Sequence, residues 1–153
     1  MATLKQWLRS ELTASMKARD ELRSSTLRMV LTAITNAEVA GKQARVLSDD
    51  DVVGVLATES KKRREAAAAF GQAGRAELAA KEQAEAAIIA EFLPAQMSDE
   101  EIQVLVADTI ADLDMGADGM RGIGKVMGAL TPKTKGRADG GAVSAEVRRQ
   151  LGA

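Results

Sequence analysis

The chain lacks cysteine and histidine entirely, and it has no tyrosine. The first two absences exclude disulfides, thiolate nucleophiles, the usual zinc ligands and acid–base catalysis by imidazole. Aromatic residues are limited to one tryptophan and two phenylalanines. We therefore expect an aliphatic core, and any catalysis would have to depend on carboxylates, lysines or hydroxyls.

Long apolar runs are also missing, since none approaches the roughly 18 residues needed to cross a bilayer. The first residues, MATLKQWLRSEL, are amphipathic and include Glu11, and they lack the apolar segment and cleavage site of a signal peptide. We expect a soluble cytoplasmic protein with no membrane partner, no metal ion and no cofactor.

Motifs that would support catalysis are absent as well. The sequence has no phosphate-binding loop of the G-x-x-x-x-G-K type, no dinucleotide fingerprint and no Ser-His-Asp set. The acidic run SDEE at residues 98–101 invites a metal-site interpretation, but helix capping explains it more simply and no calcium-loop spacing is present. We predict no catalytic residues.

Charge is nearly balanced overall, with 21 basic and 22 acidic residues, but its distribution is uneven. Residues 96–120 carry seven acidic and no basic side chains, whereas residues 121–153 carry seven basic and two acidic ones. A partner responds to the local field more than to the net charge. The final third of the chain thus presents an acidic segment followed by a basic one.

The apolar residues follow a helical period nearly throughout, and no alternating strand pattern competes with it. Pro94 interrupts this pattern and is expected to end a helix. Three helix starts carry capping residues: Thr3 with Gln6, Ser48 before three aspartates, and Ser98 with Glu101. We predict an all-α protein in two parts, with a four-helix region over residues 1–94, a smaller three-helix subdomain over residues 95–153 and a hinge near Pro94.

Four consecutive basic residues lie inside a predicted helix of about six turns: Lys61, Lys62, Arg63 and Arg64. Their charge density suits contact with nucleic-acid phosphates, so they form a secondary candidate patch. Consecutive residues point in different directions around a helix, however, and Glu59 and Glu65 are close enough to pair with them. The alternative is a solvated helix whose basic side chains cover the edges of the core.

The stretch GALTPKTKGRADGG, residues 128–141, places positive charge around a tight turn. We expect Pro132 to end one helix and Gly136 to supply the positive φ of a helix exit. Asp139 is expected to cap a last helix that begins near Gly140. These four residues would shape a helix–turn–helix connection, which we call the basic loop (residues 132–140).

The basic loop and the preceding helix carry four candidate anion-binding residues: Lys125, Lys133, Lys135 and Arg137. A turn that presents cations and free backbone amides on one side favours phosphate as a partner. The alternative is that cations are favoured near the carboxyl end of a helix by its dipole.

Several segments, in this order and spacing, resemble the YqeY family, whose domain (GatB/YqeY) is shared with the carboxyl-terminal tail of the B subunit of the bacterial Asp/Glu-tRNA amidotransferase. They are LRMV at 27–30, ESKKRREAAAAF at 59–70, GRAEL at 74–78, FLPAQMSDEE at 92–101, GKVMGAL at 124–130 and PKTKGRADG at 132–140. The resemblance covers essentially the whole chain and implies an all-helical fold in two parts.

The resemblance also implies an association with tRNA, because the related tail helps to hold the tRNA substrate by its outer corner while amide transfer occurs in other domains. The family context is a carbon–nitrogen ligase activity with glutamine as amide donor. This chain lacks an amidase-like serine–lysine set, a cysteine zinc site and a kinase-like nucleotide pocket. We therefore expect a non-catalytic tRNA-binding module that uses the four candidate residues.

Backbone contacts are expected to dominate such binding, because Trp7, Phe70 and Phe92 all have core-like positions and would not stack on bases. The rival hypothesis is a protein-interaction or adaptor module that docks on an amidotransferase, a synthetase or another partner through complementary charge. The two hypotheses differ in whether the acidic residues fold back onto the basic loop. Those acidic residues are Asp108, Asp112, Asp114 and Asp118.

Overall fold

A computed structural model describes residues 2–152, which form seven α-helices and one short 3-10 helix. This part of the chain contains no β-strand, so the predicted all-α class is confirmed. The chain divides into two compact units, Met1–Leu93 (the first unit) and Pro94–Ala153 (the second unit). None of the helices between residues 2 and 152 is long and apolar enough to span a bilayer.

The first unit contains four helices: α1 (Leu4–Lys17), α2 (Glu21–Glu38), α3 (Asp49–Gln72) and α4 (Ala76–Ala90). Thr3 and Gln6 form the predicted capping box before α1. Ser48 caps α3 as predicted, and the side chain of Asp51 completes a second box by accepting from the amide of Ser48. Both boxes provide partners for backbone amides that a helix start leaves without one.

The core of the first unit is aliphatic, as the shortage of aromatic residues predicts. Its fully buried members are Leu8, Leu27, Val30, Ile34, Val52, Leu56 and Ile89. A partly buried ion pair borders this core, because Lys5 Nζ lies 2.7 Å from Glu38 Oε1 and joins α1 to α2. The hydrogen bond from Lys5 lowers the pKa of Glu38.

The end of α4 differs from the prediction that Pro94 terminates this helix. The helix ends at Ala90, and the next residues form tighter i→i−3 turns in which the amide of Phe92 bonds to the carbonyl of Ile89 at 3.0 Å. These turns bury Phe92 behind the helix end. The proline therefore follows a helix that has already ended, and the packing of Phe92 fixes the exit.

The aromatic residues of the first unit are not all internal. Trp7 packs edge-on against Phe92 with ring centroids 4.6 Å apart, and the Arg23 guanidinium lies 5.8 Å from the Phe92 centroid. Phe92 is buried, but Trp7 is 44% exposed, so the expectation of a core position is wrong for Trp7. An indole is too large to be covered fully at the edge of a small helical unit.

The second unit contains α5 (Asp99–Asp112), the 3-10 helix Gly119–Gly122, α6 (Ile123–Thr134) and α7 (Gly140–Gly152). Ser98 and Glu101 form the predicted capping box at the start of α5. The 3-10 helix lies in a stretch with glycines at positions 116, 119 and 122. The fully buried residues of this unit are Val106, Val126, Leu130, Val143 and Val147.

Pro132 does not end a helix, contrary to the sequence-based expectation. It lies inside α6, which continues to Thr134, and the amide of Lys135 still bonds to the carbonyl of Thr131 at 3.0 Å. Proline removes only one amide, the one that would have bonded to the carbonyl of Gly128. Gly128 is exposed, so water can bond to that carbonyl, and the last turn tolerates the proline.

Gly136 and Asp139 lie in the turn between α6 and α7. Gly136 has φ of +73°, a conformation that side chains disfavour, and it takes the chain out of α6. Asp139 Oδ2 accepts a hydrogen bond from the amide of Ala142 at 3.2 Å and so caps α7, which begins at Gly140. The chain reverses between α6 and α7 over five residues as a result.

Candidate nucleic-acid interface

The basic loop is fastened to the segment that precedes α5 by three hydrogen bonds. Gln96 Nε2 donates to the carbonyl of Gly136 at 2.7 Å, and the amide of Met97 donates to the carbonyl of Arg137 at 2.8 Å. In the opposite direction, Arg137 Nε donates to the carbonyl of Ala95 at 3.1 Å. These bonds fix the loop, so the side chains that it carries start from a defined position.

Three lysines project from this part of the second unit. Lys125 and Lys133 lie on α6, eight residues or about 12 Å apart along the helix axis, and Lys135 follows at the helix cap. All three are exposed, and none forms an ion pair with any residue that the structure describes. Such cations are available to an anion from solution.

Arg137 differs from the three lysines. Its side chain is half-buried and bonds through Nε to the backbone that precedes α5. This hydrogen bond holds the basic loop against the segment that precedes α5. The planar guanidinium retains further donors that a phosphate could use.

The four aspartates between residues 108 and 118 form no ion pair with the candidate cations of the basic loop in the chain as described. Within residues 2–152, no ion pair joins Asp108, Asp112, Asp114 or Asp118 to Lys133, Lys135 or Arg137. The four aspartates are exposed instead. Ion pairing by these aspartates would have argued against anion binding at the loop. No such pairing occurs in the described part of the chain.

One surface groove nevertheless contains both signs of charge. It measures about 670 Å³ and lies between α5 and the end of α6. Its lining residues are Met97, Glu100, Glu101, Val104, Leu105, Asp108, Lys133 and Arg137, and we call it the α5 groove. Lys133 and Arg137 thus border a mixed surface, whereas Lys125 and Lys135 are not among its lining residues.

Sequence reasoning did not single out Arg121, which is also an exposed cation. Arg121 lies in the 3-10 helix, four residues before Lys125, and forms no ion pair within the described chain. Its spacing of four residues from Lys125 is the sequence signal that could have identified it, since residues four apart are neighbours on a helix. By contrast, Arg149 donates hydrogen bonds to the carboxylate of Glu146. These bonds, together with one from Gln150, lower the pKa of Glu146 to about 2.

The secondary basic patch is dispersed around α3. Lys62 and Arg63 both contact Glu59, as their sequence spacing allows, and Arg64 donates to the hydroxyl of Ser60 at 3.3 Å. Lys61 is exposed. The four side chains therefore do not present one continuous cationic face.

Arg63 links two helices, which the sequence around it does not indicate. Its guanidinium lies 3.3 Å from Glu59, 3.6 Å from Glu82 and 3.9 Å from Glu85 and so links α3 to α4. Glu59 and Glu85 are buried. Arg63 Nε and Glu82 Oε2 are themselves buried without a hydrogen bond in the described chain, so this part of the contact is electrostatic.

The described residues contain no group of three or more acidic side chains placed to share a metal ion. They define an all-helical protein of two compact units, of which the second carries exposed lysines around a glycine turn. The sequence pattern of a family described as Yqey-like protein matches residues 5–151. The chain therefore belongs to the YqeY-like family, and the resemblance seen in its sequence motifs is confirmed.

The chain is also similar to an uncharacterized protein of the fission yeast Schizosaccharomyces pombe. The two are 37% identical over 91 residues, which is 60% of this chain and 72% of the yeast protein.

Proposed function

We propose that this protein is a non-catalytic module that holds tRNA by its phosphate backbone. The observation that supports it most is the set of three exposed, unpaired lysines on and beside a loop that three hydrogen bonds fix in place. Lys125, Lys133 and Lys135 contact phosphates, and Arg137 positions the loop and contributes its remaining donors. Arg121 extends the same basic side.

Composition favours backbone contacts over base recognition. The second unit contains no aromatic residue, so it offers no ring on which a base could stack. Lysine ammonium groups act on phosphates as point charges and are tolerant of sequence. Affinity is therefore modest, independent of tRNA sequence to first order, and strongly dependent on salt.

Family membership supports a helical domain like the tail of the amidotransferase B subunit. In this proposal the three-helix part, residues 95–153, carries the interface, and the four-helix part, residues 1–94, is separated from it by a hinge near Pro94. Carbon–nitrogen ligase chemistry with glutamine as amide donor belongs to partner enzymes of tRNA amidation or aminoacylation in the cytoplasm. This chain supplies binding without the chemical step.

The experiment is a titration of purified protein with bulk tRNA at several salt concentrations. Three phosphate contacts predict that log K falls with log[salt] with a slope of about −2 to −3, because each contact releases close to one counterion. If the protein does not bind tRNA even at low salt, the proposal is wrong.

A protein-interaction module remains the second candidate function. The specific observation in its favour is the α5 groove, whose charged lining is mixed and whose floor is apolar. Docking on an amidotransferase, a synthetase or another protein would use that groove, whereas the tRNA proposal uses the lysines outside or at the edge of it.

A further inference from the structure

The α5 groove has a regular construction that the tRNA proposal does not use. On its α5 side, Glu100, Val104 and Asp108 are spaced by four and lie along one side of the helix. Glu101 and Leu105 lie four apart beside this row, and Met97 precedes the helix. Lys133 and Arg137, also four apart, form the opposite wall. The α5 side thus combines apolar side chains with carboxylates, and the far wall is cationic.

The floor of the groove is apolar and partly open. Val104 is 59% exposed, and Met97 and Leu105 are half-buried where they pack against the core of the second unit. A single exposed valine is ordinary on a protein surface. Here Val104 lines the same groove as Met97 and Leu105, so an apolar group placed in the groove would contact all three side chains.

The charges around this floor are open to a partner. Glu100, Asp108 and Lys133 are exposed, and each is without an ion pair or hydrogen bond through its side chain to the described chain. Glu101 is engaged by the amide of Ser98. Carboxylates along α5 repel phosphate, so the groove does not suit RNA. They suit a cationic side chain, and the opposite wall suits a carboxylate.

We propose that the α5 groove docks an amphipathic helix of a partner protein. Apolar side chains of that helix cover Val104, Leu105 and Met97, a lysine or arginine on one flank meets Glu100 and Asp108, and an acidic residue on the other flank meets Lys133. Helices bind grooves in this way through anchors spaced by three or four residues. The two walls are already joined by the bonds between residues 95–97 and 136–137, so docking orders little of the protein.

The test uses a synthetic helix-stapled peptide with two leucines four residues apart, lysines on one flank and glutamates on the other. It is titrated into the full-length, ¹⁵N-labelled protein. We expect shifts of the amides of residues 97–108 and 133–137, and no binding by a scrambled peptide of the same composition. Val104→Asp is expected to weaken binding by about tenfold or more, because it places a charge against the apolar anchor.

Matched variants separate the groove from general effects. Val46→Asp adds the same charge at a valine that is 86% exposed outside the groove, and it is expected to leave peptide affinity unchanged. Glu100→Gln with Asp108→Asn keeps the shape of the α5 row and is expected to weaken binding several-fold and to flatten its salt dependence.

Several results would overturn the proposal. They are an absence of peptide binding, shifts confined to other residues, or equal affinity in the Val104→Asp protein. Two others identify a different occupant: tRNA-induced shifts at Val104 and Leu105 assign the groove to RNA, and self-association that Val104→Asp abolishes assigns it to a second copy of the chain. Since the peptide titration contains no RNA, its outcome is independent of the tRNA proposal.

Discussion

Replacing Lys125, Lys133 and Lys135 together by alanine is expected to weaken tRNA binding roughly 10²-fold at about 0.1 M salt. Each substitution removes one exposed cation that forms no ion pair within the described chain. The slope of log K against log[salt] should become shallower by about 2 to 3, because three fewer counterions are released. Fluorescence anisotropy of labelled tRNA at four salt concentrations measures both quantities.

A second triple variant provides the control. Lys17, Lys42 and Lys81 are also exposed and unpaired within residues 2–152, and they belong to the first unit. Changing them to alanine alters net charge by the same amount and is expected to change affinity less than about threefold. Equal losses in the two triple variants would mean that binding follows total charge and has no defined site on the second unit.

Arg137 is deliberately kept in this comparison. Its Nε bonds to the carbonyl of Ala95, so alanine at this position removes a support of the loop as well as a cation. A loss of binding in such a variant would not distinguish a phosphate contact from a displaced loop. The three lysines have no such second role.

Arg63→Met is expected to lower the free energy of unfolding of the first unit by about 2 to 4 kcal/mol. The substitution keeps an apolar stem but leaves the buried carboxylates of Glu59 and Glu85 without the guanidinium that links α3 to α4. Urea unfolding followed by Trp7 fluorescence measures this change directly. Trp7 is the only tryptophan of the chain and lies in the first unit, so the signal reports that unit.

The neighbouring residue offers a matched control. Arg64 is exposed and has only the hydroxyl of Ser60 as a side-chain partner in the described chain, so Arg64→Met should cost less than about 0.5 kcal/mol. If Arg63→Met proves equally mild, the three glutamates are solvated well enough to do without the arginine. The account of Arg63 as an internal link between α3 and α4 would then be wrong.

Local features of this fold could be predicted from sequence because their causes are local. A capping box joins residues three apart, so Ser98 with Glu101 is visible in the sequence alone. The positive φ of Gly136 is likewise a property of glycine at a helix exit. Pro132 misled the same reasoning, since a proline in the last turn removes one hydrogen bond at an exposed position and does not terminate the helix.

The features that sequence reasoning missed depend on residues far apart in the chain. Arg63 meets Glu82 and Glu85 only because α3 and α4 fold against each other, and Arg137 reaches the carbonyl of Ala95 across 42 positions. The candidate lysines could be chosen from charge and turn chemistry. Their relation to the α5 groove could not be foreseen: Lys133 lines it and Lys125 and Lys135 do not, because this depends on which faces of α5 and α6 point outward.

Lysine footprinting of the unaltered protein tests most directly whether tRNA contacts the three lysines of the second unit. The protein is acetylated briefly with and without tRNA, and the modification of each lysine is measured by mass spectrometry. We expect bound tRNA to protect Lys125, Lys133 and Lys135 together and added salt to remove this protection. Lys17, Lys42 and Lys81 should react equally in both samples. Bound tRNA that leaves the first three lysines fully reactive, or that protects the other three instead, would contradict this expectation.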